Sequence, residues 1–114
     1  PPRTDTLRDI PLVVRDTATI QSAMLSIDTN THRTVIVVND EDVVVGTLSD
    51  GDIRKALLDG RLFTTPVHRV MNPDFIALTL EERDRAAVIF DEHRIFLIPV
   101  IDEHGKLLDI LTAY

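Results

Sequence analysis

The hydrophobic residues of the chain recur in the same order when the sequence is shifted along itself by 63 positions without gaps. Apolar positions then align with apolar positions from residue 12 to residue 49, and turns align with turns. Representative pairs are Leu12 with Phe75, Ala23 with Ala86, Val35 with Ile98, Val37 with Val100, Val45 with Leu108 and Leu48 with Leu111. A fixed internal period is the signature of a repeated structural unit. The pattern therefore predicts two copies of one unit.

The first copy predicts a short strand, a helix and a strand hairpin. The strand covers residues 11–14, and the helix that follows has one apolar face. That face consists of Ile20, Ala23, Met24 and Ile27, at the spacing of an amphipathic helix. A β-branched run at 34–38 and a second run at 43–45, joined by the polar turn 39–42, predict the hairpin. Such continuous aliphatic runs are typical of strands covered on both faces.

The second copy follows the same order. A strand is predicted over 75–78, and Thr79 with Glu82 forms a capping box that starts a helix. The buried stripe of this helix consists of Ala86, Ile89 and Phe90. A hairpin joins 96–101 to 107–108 through a turn at 102–105.

The two copies differ in how they end. The first continues into a helix predicted over 53–59, which Gly60 stops in a left-handed conformation. The second reaches Tyr114 where its corresponding helix is expected to begin, so that helix is missing from residues 1–114. The organisation predicted is a first repeat over about 10–60, a connector over 61–74 and a second repeat over 75–114.

Composition narrows the function classes. The 114 residues include 12 basic and 19 acidic side chains, a net charge of −7, which disfavours a nucleic-acid partner. Cysteine is absent, which removes disulfide and thiolate chemistry. No apolar run approaches the roughly 20 residues that span a bilayer. We therefore expect a cytoplasmic protein that binds neither membranes nor nucleic acid.

Catalytic and metal motifs are lacking in the sequence. The four glycines fit neither the phosphate-binding loop Gly-x-x-x-x-Gly-Lys-Ser/Thr nor the dinucleotide-binding pattern Gly-x-Gly-x-x-Gly. No serine lies in a nucleophile elbow. The four histidines show no paired spacing, so we expect no metal site. His32-Arg33 and His93-Arg94 each precede an apolar strand, where they could face a cleft or simply lie in solvent. We predict that residues 1–114 are not an enzyme by themselves.

The most informative segment is 46–52, where a strand turns into a helix. Gly46 permits close approach of the backbone to a neighbour or ligand. Ser49 places a hydroxyl beside the free N–H groups of a helix start, which can hold an anion. Asp52 could accept hydrogen bonds from the two hydroxyls of a ribose, and Arg33 or Arg54 could offset phosphate charge. The alternative is that Ser49 and Asp52 are only a capping box.

These residues carry a resemblance to a known family. The repeated order and the pattern Gly46-x-x-Ser49-x-x-Asp52 resemble the cystathionine β-synthase (CBS) domain, present as a tandem pair. Residues 46–58, with Pro66-Val67 and Val70-Met71-Asn72, resemble the CBS pairs attached to bacterial sugar-phosphate nucleotidyltransferases. The pairs attached to arabinose-5-phosphate isomerases are a close second. The fold class implied is α+β, with two β-α-β-β-α repeats related by a pseudo-twofold axis.

The resemblance implies a regulatory module that binds an adenine nucleotide, such as AMP, ADP, ATP or S-adenosylmethionine, with no obligatory cofactor. It places the ribose at Asp52 and the phosphate at Ser49. The base would lie against the strand that holds Thr34, Val35 and Ile36, and Ile10 and Leu12 would close the pocket. A fused catalytic domain would lie outside these 114 residues.

The second copy departs from the family pattern. Asp109 replaces the glycine, while Thr112 keeps the hydroxyl position and Ile98 and Pro99 correspond to Val35 and Ile36. We expect this second site to be damaged or empty. The remaining alternative is a ligand-free module that forms a homodimer through its helices, with Ile53, Ala56, Leu57 and the helix near Val88 as the contact surface.

Overall fold

Two sheets, one from each half of the chain, carry the fold of residues 11–113, which a computed structural model describes. The first half contains β1 (Val13–Arg15), α1 (Ile20–Asn30), β2 (Thr34–Val38), β3 (Val44–Ser49) and α2 (Asp50–Leu58). The second half contains a 3₁₀ helix (Leu80–Arg85), α3 (Ala86–His93), β4 (Leu97–Ile101) and β5 (Leu107–Thr112). The connector holds one 3₁₀ turn, Val67–Arg69. The predicted helix and hairpin are thus present in both halves, whereas the first strand forms only in the first half.

The first sheet has the strand order β1-β2-β3. β1 runs parallel to β2, and α1 is the crossover between them, while β2 and β3 form an antiparallel hairpin. Residues 35–38 of β2 are almost completely buried because helices cover one face and the second repeat covers the other. This two-sided burial explains the continuous β-branched run in the sequence.

The two repeats meet at the tips of their hairpins, and the contact is symmetrical. Val43 forms an antiparallel bridge with Lys106, the residue 63 positions later. The N–H of Val44 donates to the carbonyl of Gly105, and the N–H of Leu107 donates to the carbonyl of Asp42. The same shift of 63 converts the first of these bonds into the second. Equivalent residues facing each other in this way are what a twofold relation between the repeats requires.

Three clusters of buried apolar residues form the core. One lies within the first repeat, and a smaller one, built on Leu78, Ala86 and Ile98, lies within the second. The cluster between them joins Ile36 and Val38 of β2 to Leu97 and Leu107 of the second repeat. Burial of these side chains links the repeats, since each fully buried aliphatic contributes about 1.5–3 kcal/mol.

Several element boundaries differ from the sequence expectations. The strand expected over 75–78 is reduced to one parallel bridge between Leu78 and Val100. α2 begins at Asp50 rather than at residue 53, because Ser49 is its N-cap. Ile53 and Ala56, expected on an exposed dimer surface, are only 3% and 6% exposed and lie in the first core cluster. They therefore hold α2 against its own sheet.

The helical segment of the second repeat begins at the predicted capping box. The backbone N–H and the hydroxyl of Thr79 both donate to Oε1 of Glu82, at 3.0 and 3.2 Å. The backbone hydrogen bond from Thr79 is the main reason that the pKa of Glu82 is lowered. The first six residues nevertheless form a 3₁₀ helix before α3 starts. Within residues 11–113, no helix is long and apolar enough to cross a membrane.

Candidate functional site

A cavity of about 420 Å³ lies between the two repeats. Its lining comes from both repeats and from the end of the connector. The first repeat contributes Arg33, Thr34, Thr47, Ser49, Asp50, Gly51 and Asp52; the connector contributes Asn72 and Asp74; the second repeat contributes Phe75, Ile76, His93, Arg94, Ile95, Phe96 and Leu97. The cavity thus has polar groups from one strand-to-helix turn and apolar groups from the facing repeat. Its volume falls within the range of small-molecule sites.

Ser49 and Asp52 lie at the start of α2 and are hydrogen-bonded to each other. The N–H of Asp52 donates to Oγ of Ser49 at 3.1 Å, and the N–H of Ser49 donates to Oδ2 of Asp52 at 3.0 Å. The capping box is therefore present, and it fixes both side chains at the wall of the cavity. Oδ1 of Asp52 accepts no hydrogen bond from any residue in 11–113. The box and a ligand role are compatible, because one carboxylate oxygen caps the helix and the other remains available.

Arg33 and Thr34 reach the cavity through a turn that Asn30 holds in place. Nδ2 of Asn30 donates to the carbonyls of Pro11 and Thr34, and Oδ1 of Asn30 accepts the N–H of His32 at 2.7 Å. Arg33 has a positive φ of 65°. Its guanidinium lies 5.8 Å from the centre of the Phe96 ring, a cation–π contact across the cavity. Arg54, the other candidate for phosphate charge, instead lines a groove between α1 and α2.

The second repeat supplies apolar residues that the sequence did not assign to the site, and a His-Arg pair whose position the sequence left open. Phe75, which the repeat aligns with Leu12, lines the cavity together with Ile76 and Phe96. Arg94 ends α3 with a positive φ of 52° and adds a second guanidinium, with His93 beside it. The sequence left open whether the pairs His32-Arg33 and His93-Arg94 face a cleft or lie in solvent. Arg33, His93 and Arg94 line the cavity. The feature of the sequence that could have predicted these residues is the repeat, since a cleft between two equivalent units is lined by residues of both.

Three residues expected around the base or at the mouth of the pocket have side chains that pack in the core or against it. Val35 and Ile36 are fully buried, in the first core cluster and in the cluster between the repeats, respectively. Leu12 is half-buried and packs against that second cluster. They line no part of the cavity, because alternate side chains of β2 pack on its two covered faces. Ile10 lies outside the described residues.

Gly46 is explained by packing rather than by a ligand. A Cβ at this position would lie 2.8 Å from Sδ of Met71 and 3.0 Å from the carbonyl oxygen of Asn72. The connector crosses β3 here, and Thr47 and Asn72 exchange two backbone hydrogen bonds of 2.8 and 3.1 Å. Gly46 therefore allows the connector to approach β3 and to deliver Asn72 and Asp74 to the cavity.

Gly46→Ala should lower the free energy of unfolding by about 1–3 kcal/mol, because the added methyl group overpacks this contact. Gly51→Ala is the matched control. Its Cβ would meet nothing closer than Oγ of Ser49 at 3.7 Å, and alanine is the better helix former by about 0.5–1 kcal/mol. Urea denaturation of both variants measures the difference. Equal stability of the two variants would show that the connector does not require glycine at position 46.

The residues of the second predicted site, Ile98, Pro99 and Thr112, lie on paired strands of the β4–β5 hairpin, with Thr112 opposite Leu97. Ile98 and Pro99 are fully buried, whereas Thr112 is exposed beside a shallow groove between the 3₁₀ helix and β5. Asp109, which replaces the family glycine, forms an ion pair with Arg83 at 3.3 Å. This carboxylate is thus engaged in a contact within the repeat. No group of three potential metal ligands occurs within residues 11–113.

The chain is similar in sequence and in structure to CBS domains. Residues 6–59 match the family model described as the CBS domain. A CBS domain protein from Pyrobaculum aerophilum, solved in complex with AMP, superposes with a TM-score of 0.74 at 20% identity, covering 96% of this chain and 85% of that one. The chain has the CBS fold. The CBS domain pair of protein MJ0100, solved with 5′-methylthioadenosine and S-adenosyl-L-methionine, superposes with a TM-score of 0.73 at 21% identity, covering 91% of this chain and 86% of that one.

The curated relatives are longer proteins, each matched over part of its length. The arabinose 5-phosphate isomerase GutQ of Salmonella typhi is 36% identical over 99 residues, which cover 86% of this chain and 30% of that protein. The chain spans about 30% of the length of these curated relatives. The GutQ relatives are isomerases, the class that the sequence analysis placed second, and the nucleotidyltransferase association that it placed first is not shown.

Proposed function

We propose that the chain is a regulatory CBS module that binds an adenine nucleotide in the cavity between its two repeats. The observation that carries the proposal is the position of Ser49 and Asp52 at the start of α2, in a cavity that Arg33 of the same repeat and Arg94 of the opposite repeat also line, together with apolar side chains of the opposite repeat. Oδ1 of Asp52 would accept the ribose hydroxyls. The hydroxyl of Ser49, with Arg33 and Arg94, would hold the phosphate. Phe75, Ile76 and Phe96 would enclose the base.

The parent protein would be a sugar-phosphate isomerase, and this module would carry no catalysis. The GutQ relatives support the isomerase alternative, because the match is 36% identical over 99 residues, 86% of this chain. In such a protein the nucleotide would change the activity of a separate isomerase domain by binding differently to its active and inactive states.

A thermal shift experiment tests nucleotide binding. At one hundred times the dissociation constant, a ligand that binds only the folded state stabilises it by about 2.7 kcal/mol. For a domain of this size we expect the melting temperature to rise by about 10 °C with AMP. GMP, CMP and UMP are the controls for base recognition. No shift with AMP, ADP, ATP or S-adenosylmethionine at millimolar concentration would contradict the proposal.

A second candidate function, a ligand-free association module, is favoured by one surface. Leu25, Leu62 and Phe63 are 66%, 71% and 51% exposed, beside a groove between α1 and α2. Exposed apolar patches of this kind mark association surfaces. Sedimentation velocity with and without AMP separates the candidates. A dimer whose mass and melting temperature ignore nucleotides would favour the association module.

A further inference from the structure

The charged residues of the cavity are unevenly balanced. Two guanidinium groups, Arg33 and Arg94, share the cavity with three carboxylates, Asp50, Asp52 and Asp74, so the carboxylates outnumber the guanidinium groups by one. None of these residues forms an ion pair with another residue in 11–113. Their charges are thus available to act on a ligand. They also lie within a chain whose net charge is −7.

We infer that Asp50 and Asp74 make the cavity selective for ligand charge, so that it prefers AMP or a cationic adenosyl compound to ADP and ATP. This inference rests on the proposed function. Asp52 serves the ribose, and the two arginines can neutralise one phosphate group between them. Each further phosphate adds negative charge close to Asp50 or Asp74, where no additional cation lines the described part of the cavity.

Coulomb's law gives the size of the effect. In a cavity open to water, one pair of like charges about 7 Å apart lowers affinity by about threefold. ATP carries roughly two more negative charges than AMP. Removal of one aspartate should therefore reduce the preference for AMP over ATP by about fivefold to tenfold at low salt. Salt should have the same effect on the wild-type chain, because it screens charges in an open cavity.

Asp74 is the better position for the test. The side chain of Asp74 is exposed, and its backbone N–H donates to Oδ1 of Asn72 at 2.9 Å. A substitution of the side chain leaves this backbone hydrogen bond in place. Asp50 lies in the first turn of α2, where its charge also favours the helix. Asp91→Asn is a matched control, because Asp91 is an exposed aspartate of α3 that does not line the cavity.

The experiment is isothermal titration of the wild-type chain, Asp74→Asn and Asp91→Asn with AMP, ADP and ATP, without divalent cations, at 20 and 300 mM salt. We expect affinity to fall in the order AMP, ADP, ATP, and Asp74→Asn alone to raise ATP affinity about fivefold to tenfold relative to AMP. Equal affinities for AMP and ATP, or equal changes in both variants, would overturn the charge selection and leave nucleotide binding in place. Binding of no nucleotide to the wild-type chain would overturn both.

Discussion

Asp52→Ala should weaken AMP binding by about 100-fold or more. Hydrogen bonds to a charged group contribute about 1.5–3 kcal/mol each, and the carboxylate of Asp52 is placed to accept one or both ribose hydroxyls. The same substitution removes the 3.0 Å hydrogen bond from the N–H of Ser49, so α2 loses part of its cap. We expect the free energy of unfolding to fall by about 1 kcal/mol. Isothermal titration and urea denaturation measure the two effects separately.

Asp52→Asn distinguishes ligand recognition from helix capping. The amide oxygen of asparagine can accept the N–H of Ser49, so this variant should keep most of its stability. It should still bind AMP at least tenfold more weakly, because the amide NH2 group, which donates and cannot accept, then takes the place of the oxygen that faces the ribose. AMP affinity equal to that of the wild-type chain in both variants would show that Asp52 has only a structural role, and the ribose would have to lie elsewhere.

The repeat allowed most of the fold to be predicted from the sequence. Its period aligned strands with strands and turns with turns, and the hydrogen bonds of Val44 and Leu107 across the two hairpins show the symmetry that this period requires. The boundaries of the strands and helices were harder to predict from the sequence. The apolar run 75–78 has the composition of a strand, but only Leu78 finds a partner in β4. Strand pairing depends on distant residues, whereas a capping box such as that of Ser49 is fixed by neighbours.

The candidate site was predictable only where its chemistry is local. Ser49 and Asp52 are three residues apart, and Arg33 immediately precedes β2, so their positions follow from the chain itself. Phe75 and Arg94 reach the cavity because one repeat faces the other, and the connector brings Asp74 there. Val35 and Ile36 were assigned to the base from the family resemblance, but their side chains are buried in a sheet that is covered on both faces. Thr34 lines the cavity, whereas its neighbours Val35 and Ile36 do not.

Ile36→Ala should lower the free energy of unfolding by about 2–5 kcal/mol, the cost of a buried isoleucine truncated to alanine. Ile36 is 0% exposed and belongs to the cluster that joins β2 to Leu97 and Leu107. The cavity left behind would lie between the repeats. At about 4–8 °C per kcal/mol, the melting temperature should fall by 10 °C or more. Differential scanning calorimetry measures this, with Leu25→Ala as the control at a position that is 66% exposed.

The same variant separates a core role for Ile36 from a role against the base. If Ile36 is a core residue, its truncation should lower stability but leave the AMP affinity of the folded fraction within about threefold of wild type. If Ile36 lies against the base, its truncation should change AMP affinity more than stability. Ile36→Val should lower the free energy of unfolding by a smaller amount, about 0.5–1.5 kcal/mol, and should also leave AMP affinity nearly unchanged. A large loss of AMP affinity in Ile36→Val, with stability unchanged, would place β2 at the ligand after all. The expected result instead assigns β2 to holding the repeats together, and therefore to maintaining the distance between Asp52 and Arg94 on which the cavity depends.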